Sequence, residues 1–280
     1  MQDLCPTVLL ATFVQTDLPI SGYELTALES GQEEYLATRL QQLCMNEFGF
    51  DYLPGLSASQ VSLDARTIRE IDSRRYGVSD PVAVSTYGYE MPSWTTGTSA
   101  PVALGSLPKP VRSVLLGTAG SYEGRPIPTG GCMAQVQQEL EQMGINATVQ
   151  QSGGQDVSDA VAGIRSNGFQ RTQSDPRVLK VFARWSACMS AHGYSYATPI
   201  DAGADPRWSS PGPAGAAQIQ TAEQDLACKQ QVNVIGVEVA VESDYENTAI
   251  AQNAQAMSQA KAEVESTGAA LAHAMSEYGH

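Results

Sequence analysis

Two carboxylates beside a predicted loop have the residue types that acid–base chemistry requires. Asp201 and Asp205 border or lie in the stretch 202–215, which is rich in alanine, glycine and proline and is predicted to be irregular. Two carboxylates in one cleft hydrolyse a bond when one donates a proton and the other accepts it. One hypothesis is therefore an extracellular hydrolase with Asp201 and Asp205 as its acid and base.

The linear motifs of the common enzyme classes are absent from the sequence. It contains no G-x-S-x-G, no H-E-x-x-H, no phosphate-binding loop and no dinucleotide fingerprint. Ser106 and Lys109 match S-x-x-K, but Pro108 interrupts the helical turn that would place the lysine beneath the serine. The sequence therefore favours a non-enzymatic protein and implies no cofactor.

A group of acidic residues lies late in the chain. Glu238, Glu242, Asp244 and Glu246 follow one another closely and would hold Ca²⁺ if a second chain segment converged on them. On a single helix, however, such side chains point around the axis. We therefore predict a solvated helix face here and no metal site.

Aromatic side chains near two predicted loops are candidate ligand contacts. Trp94 lies in one loop, and Tyr194, Tyr196 and Trp208 lie in or beside another. Rings that line a groove stack on sugars or peptides, whereas rings beside a disulfide pack against it. We predict ligand contact for these four residues, with packing on a disulfide as the alternative.

The cysteines lie in a repeated pattern. They occupy positions 5, 44, 132, 188 and 228, without a C-x-x-C pair and with only three histidines in the chain. This spacing does not fit zinc fingers or haem attachment. Cys44 and Cys188 each begin C-M-x-x-x-G-aromatic-x-Y, which indicates a local duplication. In each copy the glycine is placed to end a helix in the left-handed conformation.

The repeat favours one pairing of four cysteines. The simplest arrangement pairs Cys44 with Cys132 and Cys188 with Cys228, and the other two connectivities remain open. Cys5 is left as a free or intermolecular thiol, since no lipid-attachment motif precedes it. Disulfides persist in oxidising compartments, so we predict a secreted or cell-surface protein whose signal peptide has been removed.

The remaining sequence is mostly helical in pattern. It predicts a mainly α fold, a disulfide-stapled helical domain with a long C-terminal helix and several long irregular loops. Asp80 and Asp175 each precede a proline and are predicted N-caps. Ser30 with Glu33 predicts a capping box for the first helix. The β-branched stretch 232–241 is predicted to be a continuous buried helix rather than a strand.

The repeat also divides the chain into two helical halves. The predicted segments are 1–29, which is extended, 30–150, which contains the first repeat, and 151–280, which contains the second. A four-three spacing of apolar and small residues predicts one long helix over 244–278. This helix either covers the core or binds a partner.

Charge and hydropathy exclude some partners. Lys and Arg total 16 against 30 Asp and Glu, which gives a formal charge of -14. Such a surface repels nucleic acids and anionic lipid head groups. No run approaches the roughly 20 apolar residues that span a bilayer, so the sequence predicts neither nucleic-acid binding nor a membrane-spanning segment.

Several motifs together resemble a known group of proteins. They are Arg184-Trp185-Ser186-Ala187-Cys188-Met189-x-x-x-Gly193-Tyr194-x-Tyr196, Arg74-Arg75-Tyr76-Gly77 and Gly130-Gly131-Cys132. The chain resembles the uncharacterised secreted proteins and lipoproteins of Streptomyces and related actinobacteria, and this resemblance implies export. The leading hypothesis is a secreted or cell-surface protein that binds a protein, a cell-wall polymer or a second copy of itself.

Overall fold

The computed structural model describes residues 17–52, 56–95, 104–145, 155–209 and 212–279, with residues 155–158 described by their backbone alone. This part of the chain is predominantly helical, as the sequence predicts. Its α-helices are α1 (Ala27–Glu47), α2 (Ser59–Ser73), α3 (Pro81–Tyr87), α4 (Lys109–Leu116), α5 (Gly131–Gln142), α6 (Gln155–Ser174), α7 (Pro176–Ala191), α8 (Pro199–Gly203), α9 (Ala216–Val232), α10 (Val234–Gln252) and α11 (Ala254–Tyr278).

Two aspartates start helices as predicted. The side chain of Asp80 accepts a hydrogen bond from the Val82 amide, and that of Asp175 accepts one from the Arg177 amide, both at 2.8 Å. In each case a proline occupies the first helical position. These are local effects, because the cap and the proline act within one turn of chain.

The first helix begins earlier than predicted. Its capping box is formed by Thr26 and Glu29, four residues before the predicted pair. Ser30 and Gly31 therefore lie inside α1. A Cβ on Gly31 would lie 2.7 Å from the backbone oxygen of Val61 in α2. A glycine at this position therefore allows α1 and α2 to pack closely.

The two copies of the repeat end their helices in the same way. The amide of Phe50 donates to Met45 O at 3.2 Å, and the amide of Tyr194 donates to Met189 O at 3.0 Å. Gly49 and Gly193 have φ values of +79° and +88°. This is the Schellman motif, which needs a residue that adopts left-handed φ without strain. The predicted left-handed helix ends are confirmed.

Two disulfides join the helices, with the pairing that the repeat favours. Cys44 is bonded to Cys132 and links α1 to α5, and Cys188 is bonded to Cys228 and links α7 to α9. The Cα atoms are 5.8 Å apart in both bonds. The prediction for Cys5 lies outside the described residues.

The C-terminal region contains three helices where the sequence predicts fewer. Asn233, at φ +58°, separates α9 from α10, so the stretch 232–241 is helical but not continuous with α9. The predicted helix over 244–278 is also divided, because α10 ends at Gln252 and α11 begins at Ala254. Between them, the side-chain amide of Asn253 donates to Ala249 O at 2.8 Å. Asparagine suits the first position because it adopts left-handed φ more readily than most residues. It suits the second because its side chain adds a hydrogen bond to a backbone oxygen of the preceding turn.

Short elements occupy several segments predicted to be extended or irregular. A 3-10 helix over Pro19–Tyr23 lies in the predicted N-terminal segment. A two-stranded antiparallel hairpin, β1 (Ser121–Tyr122) and β2 (Arg125–Pro126), lies in the stretch 121–131, which the sequence predicts to be irregular. The predicted irregular stretch 202–215 begins with the end of helix α8 and contains a 3-10 helix over Pro206–Trp208. Residues 1–16 of the N-terminal segment and 210–211 of the stretch 202–215 lie outside the described residues, as do residues 96–103, which follow Trp94 in its predicted loop.

Packing brings α1, α6, α10 and α11 together. Helix α10 packs on α6 and α7, while α11 packs on α6 and α1. Leu36 of α1, Val136 of α5 and Leu271 of α11 belong to one buried cluster, so helices from both sides of residue 150 share a core. No helix in the described part of the chain has the length and hydropathy to cross a membrane.

Candidate functional site

A row of buried glutamates runs along α10. Glu238, Glu242 and Glu246 are spaced by four residues, and their exposed fractions are 2 %, 0 % and 0 %. The sequence predicts a solvated face here, and that prediction is wrong for these three residues. Asp244 is exposed, as predicted. The spacing of four places the three glutamates on the face that packs inward.

Helix α6 covers this row closely because it presents a glycine. A Cβ on Gly168 would lie 3.1 Å from Glu246 Cγ and 3.6 Å from Glu242 Cγ. Any larger side chain would push α6 away from α10. The glycine therefore permits the close approach that removes the two carboxyl groups from water.

The central glutamate is fully paired. Glu242 accepts hydrogen bonds from Arg75 Nε at 3.0 Å, from Arg75 Nη2 and from the Tyr76 hydroxyl at 2.6 Å. Burial and the neighbouring Glu242 raise the pKa of Tyr76. The Arg75 guanidinium also donates to Arg165 O at 2.8 Å. A buried carboxylate is tolerated when a cation and hydrogen bonds replace its water.

The two outer glutamates have fewer partners. Glu238 accepts from Gln173 Nε2 at 2.8 Å, and its second oxygen has no partner among the described residues. Glu246 accepts from the Ile20 amide at 3.0 Å. Burial is the main cause that raises the pKa of each carboxyl to about 7. Both carboxyl groups therefore titrate near neutral pH.

A buried ion pair lies near the end of the row. Lys229 Nζ is 3.1 Å from Asp225 Oδ2, and the two side chains are 1 % and 0 % exposed. Trp185 Nε1 donates to Asp225 Oδ1 at 2.9 Å. The lysine also donates to Val78 O at 3.3 Å. These contacts hold α9 against α7 and the segment after α2, which indicates a structural role.

A cleft opens beside this buried network. Its volume is about 370 Å³, and it lies between the 3-10 helix Pro19–Tyr23 and helices α1, α2, α6 and α11. Its apolar lining consists of Leu25, Ile68, Val161, Ala162, Ala260 and Val264. We call this space the amphipathic cleft, because charged side chains form its rim.

The rim of the amphipathic cleft carries more acid than base. Arg165 lies between two carboxylates, with Nη1 on Glu24 and Nη2 at 3.0 Å from Asp72 Oδ1. Glu263 adds a third carboxylate. Burial raises the pKa of Glu24 although Arg165 opposes this shift. The charged groups of the cleft are thus three acids and one base.

A second cavity connects the rim to the glutamate row. It has a volume of about 220 Å³ and shares Glu24, Asp72 and Arg165 with the amphipathic cleft. Arg75 also lines it, and Arg75 is the partner of the buried Glu242. The rim and the buried network are therefore joined through one arginine.

The predicted ligand-contact residues have internal partners. The Arg66 guanidinium lies 3.8 Å above the Trp94 ring. Trp208 packs on Tyr89, with ring centroids 6.1 Å apart, and its Nε1 donates to Ala202 O at 2.8 Å.

Tyr194 and Tyr196 have internal contacts as well. Both pack against the buried cluster that contains Cys228. The two cavities described above are lined by other residues, and ligand contact by the four aromatic residues stays a prediction.

The two carboxylates of the hydrolase hypothesis also have local partners. Asp201 caps α8 by accepting from the Thr198 amide at 3.0 Å and from its hydroxyl at 2.9 Å. Asp205 accepts from Arg207 Nη2 at 2.7 Å and from the Tyr196 hydroxyl at 2.8 Å. The arginine lowers the pKa of Asp205 below its ordinary range. An ionised, paired carboxylate does not act as a proton donor at neutral pH.

Comparison with known proteins gives no match, since no family model, no curated protein and no solved structure resembles this chain significantly.

Proposed function

We propose that this chain is a non-enzymatic extracellular binding protein whose amphipathic cleft holds a small organic cation with an apolar body. The observation that carries the proposal is the composition of the cleft, which combines apolar walls with a rim of three acids and one base. This proposal replaces the protein, cell-wall polymer or second copy predicted from the sequence with a small molecule as the ligand.

The walls of the cleft suit an apolar ligand body. Ligand pockets have volumes of roughly 300 to 1,000 Å³ and are mostly apolar with a few polar groups. The cleft, at about 370 Å³, lies at the lower end of this range. Leu25, Val161 and Val264 come from three different segments, so a ligand would contact elements that the fold already holds together.

The rim favours a positive head group. Arg165 is occupied by Glu24 and Asp72, which leaves the summed charge of the rim negative. Tyr23 also lines the cleft, and aromatic faces attract cations. The net charge of -14 would draw a cation toward the protein at low salt.

An extracellular location is supported by the disulfides. Cys44–Cys132 and Cys188–Cys228 both join separate helices. Such bonds persist where the surroundings are oxidising.

The proposal is tested by calorimetry with two probes of equal chain length. Octyltrimethylammonium carries a positive head group and octyl sulfate a negative one. We expect the oxidised full chain to bind the ammonium probe and to bind the sulfate at least tenfold more weakly. Glu263→Gln and Asp72→Asn should each weaken binding of the ammonium about threefold to tenfold, because each removes one attractive charge.

A matched pair of variants locates the binding. Val264→Trp fills the cleft and should abolish binding of the ammonium probe. Gln259→Trp, at an exposed position of the same helix, should leave it unchanged. Failure of both probes to bind would overturn the function, equal binding of both would overturn the ligand class, and full binding by Val264→Trp would overturn the site.

A further inference from the structure

Three metal-ligating side chains meet at the second disulfide. The sulfurs of Cys188 and Cys228 and one imidazole nitrogen of His192 all lie within 4.8 Å of one another. No other trio of His, Cys, Asp or Glu side chains converges in this way within the described ranges. The linear spacing of the cysteines hides this cluster, because Cys228 reaches it from α9 while the other two residues lie at the end of α7.

The neutral histidine is held in a tautomer that leaves one ring nitrogen free to bind a metal. His192 Nδ1 lies 2.9 Å from Cys188 O. A carbonyl oxygen can only accept, so Nδ1 carries the hydrogen and Nε2 keeps a free lone pair. Metal-ligating histidines commonly donate their other ring N–H to a backbone carbonyl, which fixes the ring and its tautomer.

We propose that reduction of the Cys188–Cys228 disulfide converts this cluster into a Zn²⁺ site formed by Cys188, Cys228 and His192. A dithiol reductant passes two electrons and two protons to the disulfide and is itself oxidised to a disulfide. Zn²⁺ then displaces the two thiol protons, so two S–Zn bonds and one N–Zn bond form and two protons leave. In the oxidised chain neither sulfur of this pair is a thiolate, so zinc does not bind at this place.

The distances between the ligand atoms allow the reduced disulfide to become a zinc site with small movements of the side chains. Zinc binds sulfur at about 2.3 Å and nitrogen at about 2.0 Å, so the ligand atoms of a tetrahedral site lie about 3.5 to 4 Å apart. The three atoms are already within 4.8 Å. Gln231 Oε1, at 3.5 Å from Cys188 Sγ, or a water molecule can take the fourth position.

The first disulfide provides an internal comparison. In the repeat, the residue four positions after the cysteine is Phe48 in the first copy and His192 in the second. Both residues follow the last turn of their helix with nearly the same backbone conformation. Phenylalanine offers no ligand atom, so only the second copy forms a three-ligand cluster. His192 is exposed, which leaves the cluster open to reductant and metal.

The test uses the full chain in its oxidised and reduced forms. The protein is reduced with a phosphine, which does not compete for zinc, then desalted and given one equivalent of Zn²⁺. Native mass spectrometry should find one zinc on the reduced chain and none on the oxidised chain. In the reduced chain, zinc should protect Cys188 and Cys228 from alkylation and leave Cys44 and Cys132 unprotected.

The matched variant is His192→Phe, which gives the second copy the residue of the first. We expect its zinc affinity to fall about tenfold or more, since a ligand is lost. Because the reduced chain can lose structure, far-ultraviolet circular dichroism is recorded in parallel, and zinc should restore lost helix in the wild type but not in the variant. Absence of zinc binding in the reduced wild type, or equal affinity in His192→Phe, would overturn the proposal.

Discussion

Replacing Glu238 by glutamine should change the pH dependence of stability. The carboxyl group is 2 % exposed and has one hydrogen-bond partner, Gln173. Burial raises its pKa from 4.5 to about 7, and the nearby Glu242 acts in the same direction while Lys229 opposes it. Glutamine keeps the shape and an acceptor oxygen for Gln173 but removes the titration.

The size and sign of the effect follow from the two pKa values. Between pH 4.5 and about 7 the folded state binds more protons at Glu238 than the unfolded state, so this group lowers the free energy of unfolding as pH rises. One pKa unit corresponds to about 1.4 kcal/mol, which gives a total of about 3 kcal/mol. Below and above this window the contribution is constant.

Urea unfolding of the protein with its disulfides intact, repeated at several pH values from about 4 to about 8, measures the free energy of unfolding as a function of pH. The difference in unfolding free energy between Glu238→Gln and the wild type should move by about 3 kcal/mol in favour of the variant across the range. Asn247→Ala, at an exposed position of the same helix, removes no titrating group and is the control, so its difference from the wild type should not change with pH. A flat difference for Glu238→Gln would refute the reasoning, because the carboxyl group would then titrate alike in both states.

Two further pairs of variants test the packing and the cap. Gly168→Ala should lower the free energy of unfolding by about 1 to 3 kcal/mol, because its Cβ would press on Glu246. Gly163→Ala in the same helix is the control, since its Cβ would meet nothing within 4 Å. In urea unfolding this control should be neutral or stabilising. Thr26→Ala should lower the thermal midpoint of unfolding through the loss of about 1 kcal/mol of capping energy. Ser30→Ala should leave the midpoint nearly unchanged. A larger decrease for Ser30→Ala than for Thr26→Ala would place the cap at Ser30.

Features governed by local sequence were predictable. The Asp-Pro helix starts depend on a cap and a ring within one turn. The helix ends at Gly49 and Gly193 depend on one residue with left-handed φ. The same repeat favoured the observed disulfide pairing, although it left the other two connectivities open, because the two copies place Cys44 and Cys188 in equivalent positions.

Features governed by tertiary contacts were not predictable in the same way. Carboxylates are rarely buried unless they are paired, so Glu242 carried no sign of burial until Arg75 and Tyr76 were placed beside it. The one signal in the sequence was the spacing of four between the glutamates. That spacing identifies a common face but not whether the face meets solvent or another helix.

The breaks at Asn233 and Asn253 show a related limit. Each interrupts a helical pattern at a single residue, without a proline or a turn cluster. Asparagine tolerates helix interiors at modest cost, so the sequence does not mark either residue as a break. The pattern therefore located helices correctly but joined them across the residues at which one helix ends and the next begins.

The connection between the rim and the buried network fits the binding function that we propose. Arg165 is fixed twice, by Glu24 and Asp72 through its side chain and by Arg75 through its backbone oxygen. Arg75 is in turn held by the buried Glu242. Groups fixed before a ligand arrives lose little freedom on binding, which leaves more of the contact energy for affinity. An acid–base catalyst instead needs a carboxyl group that is free to exchange its proton with the substrate, and the rim carboxylates on Arg165 are committed to that arginine.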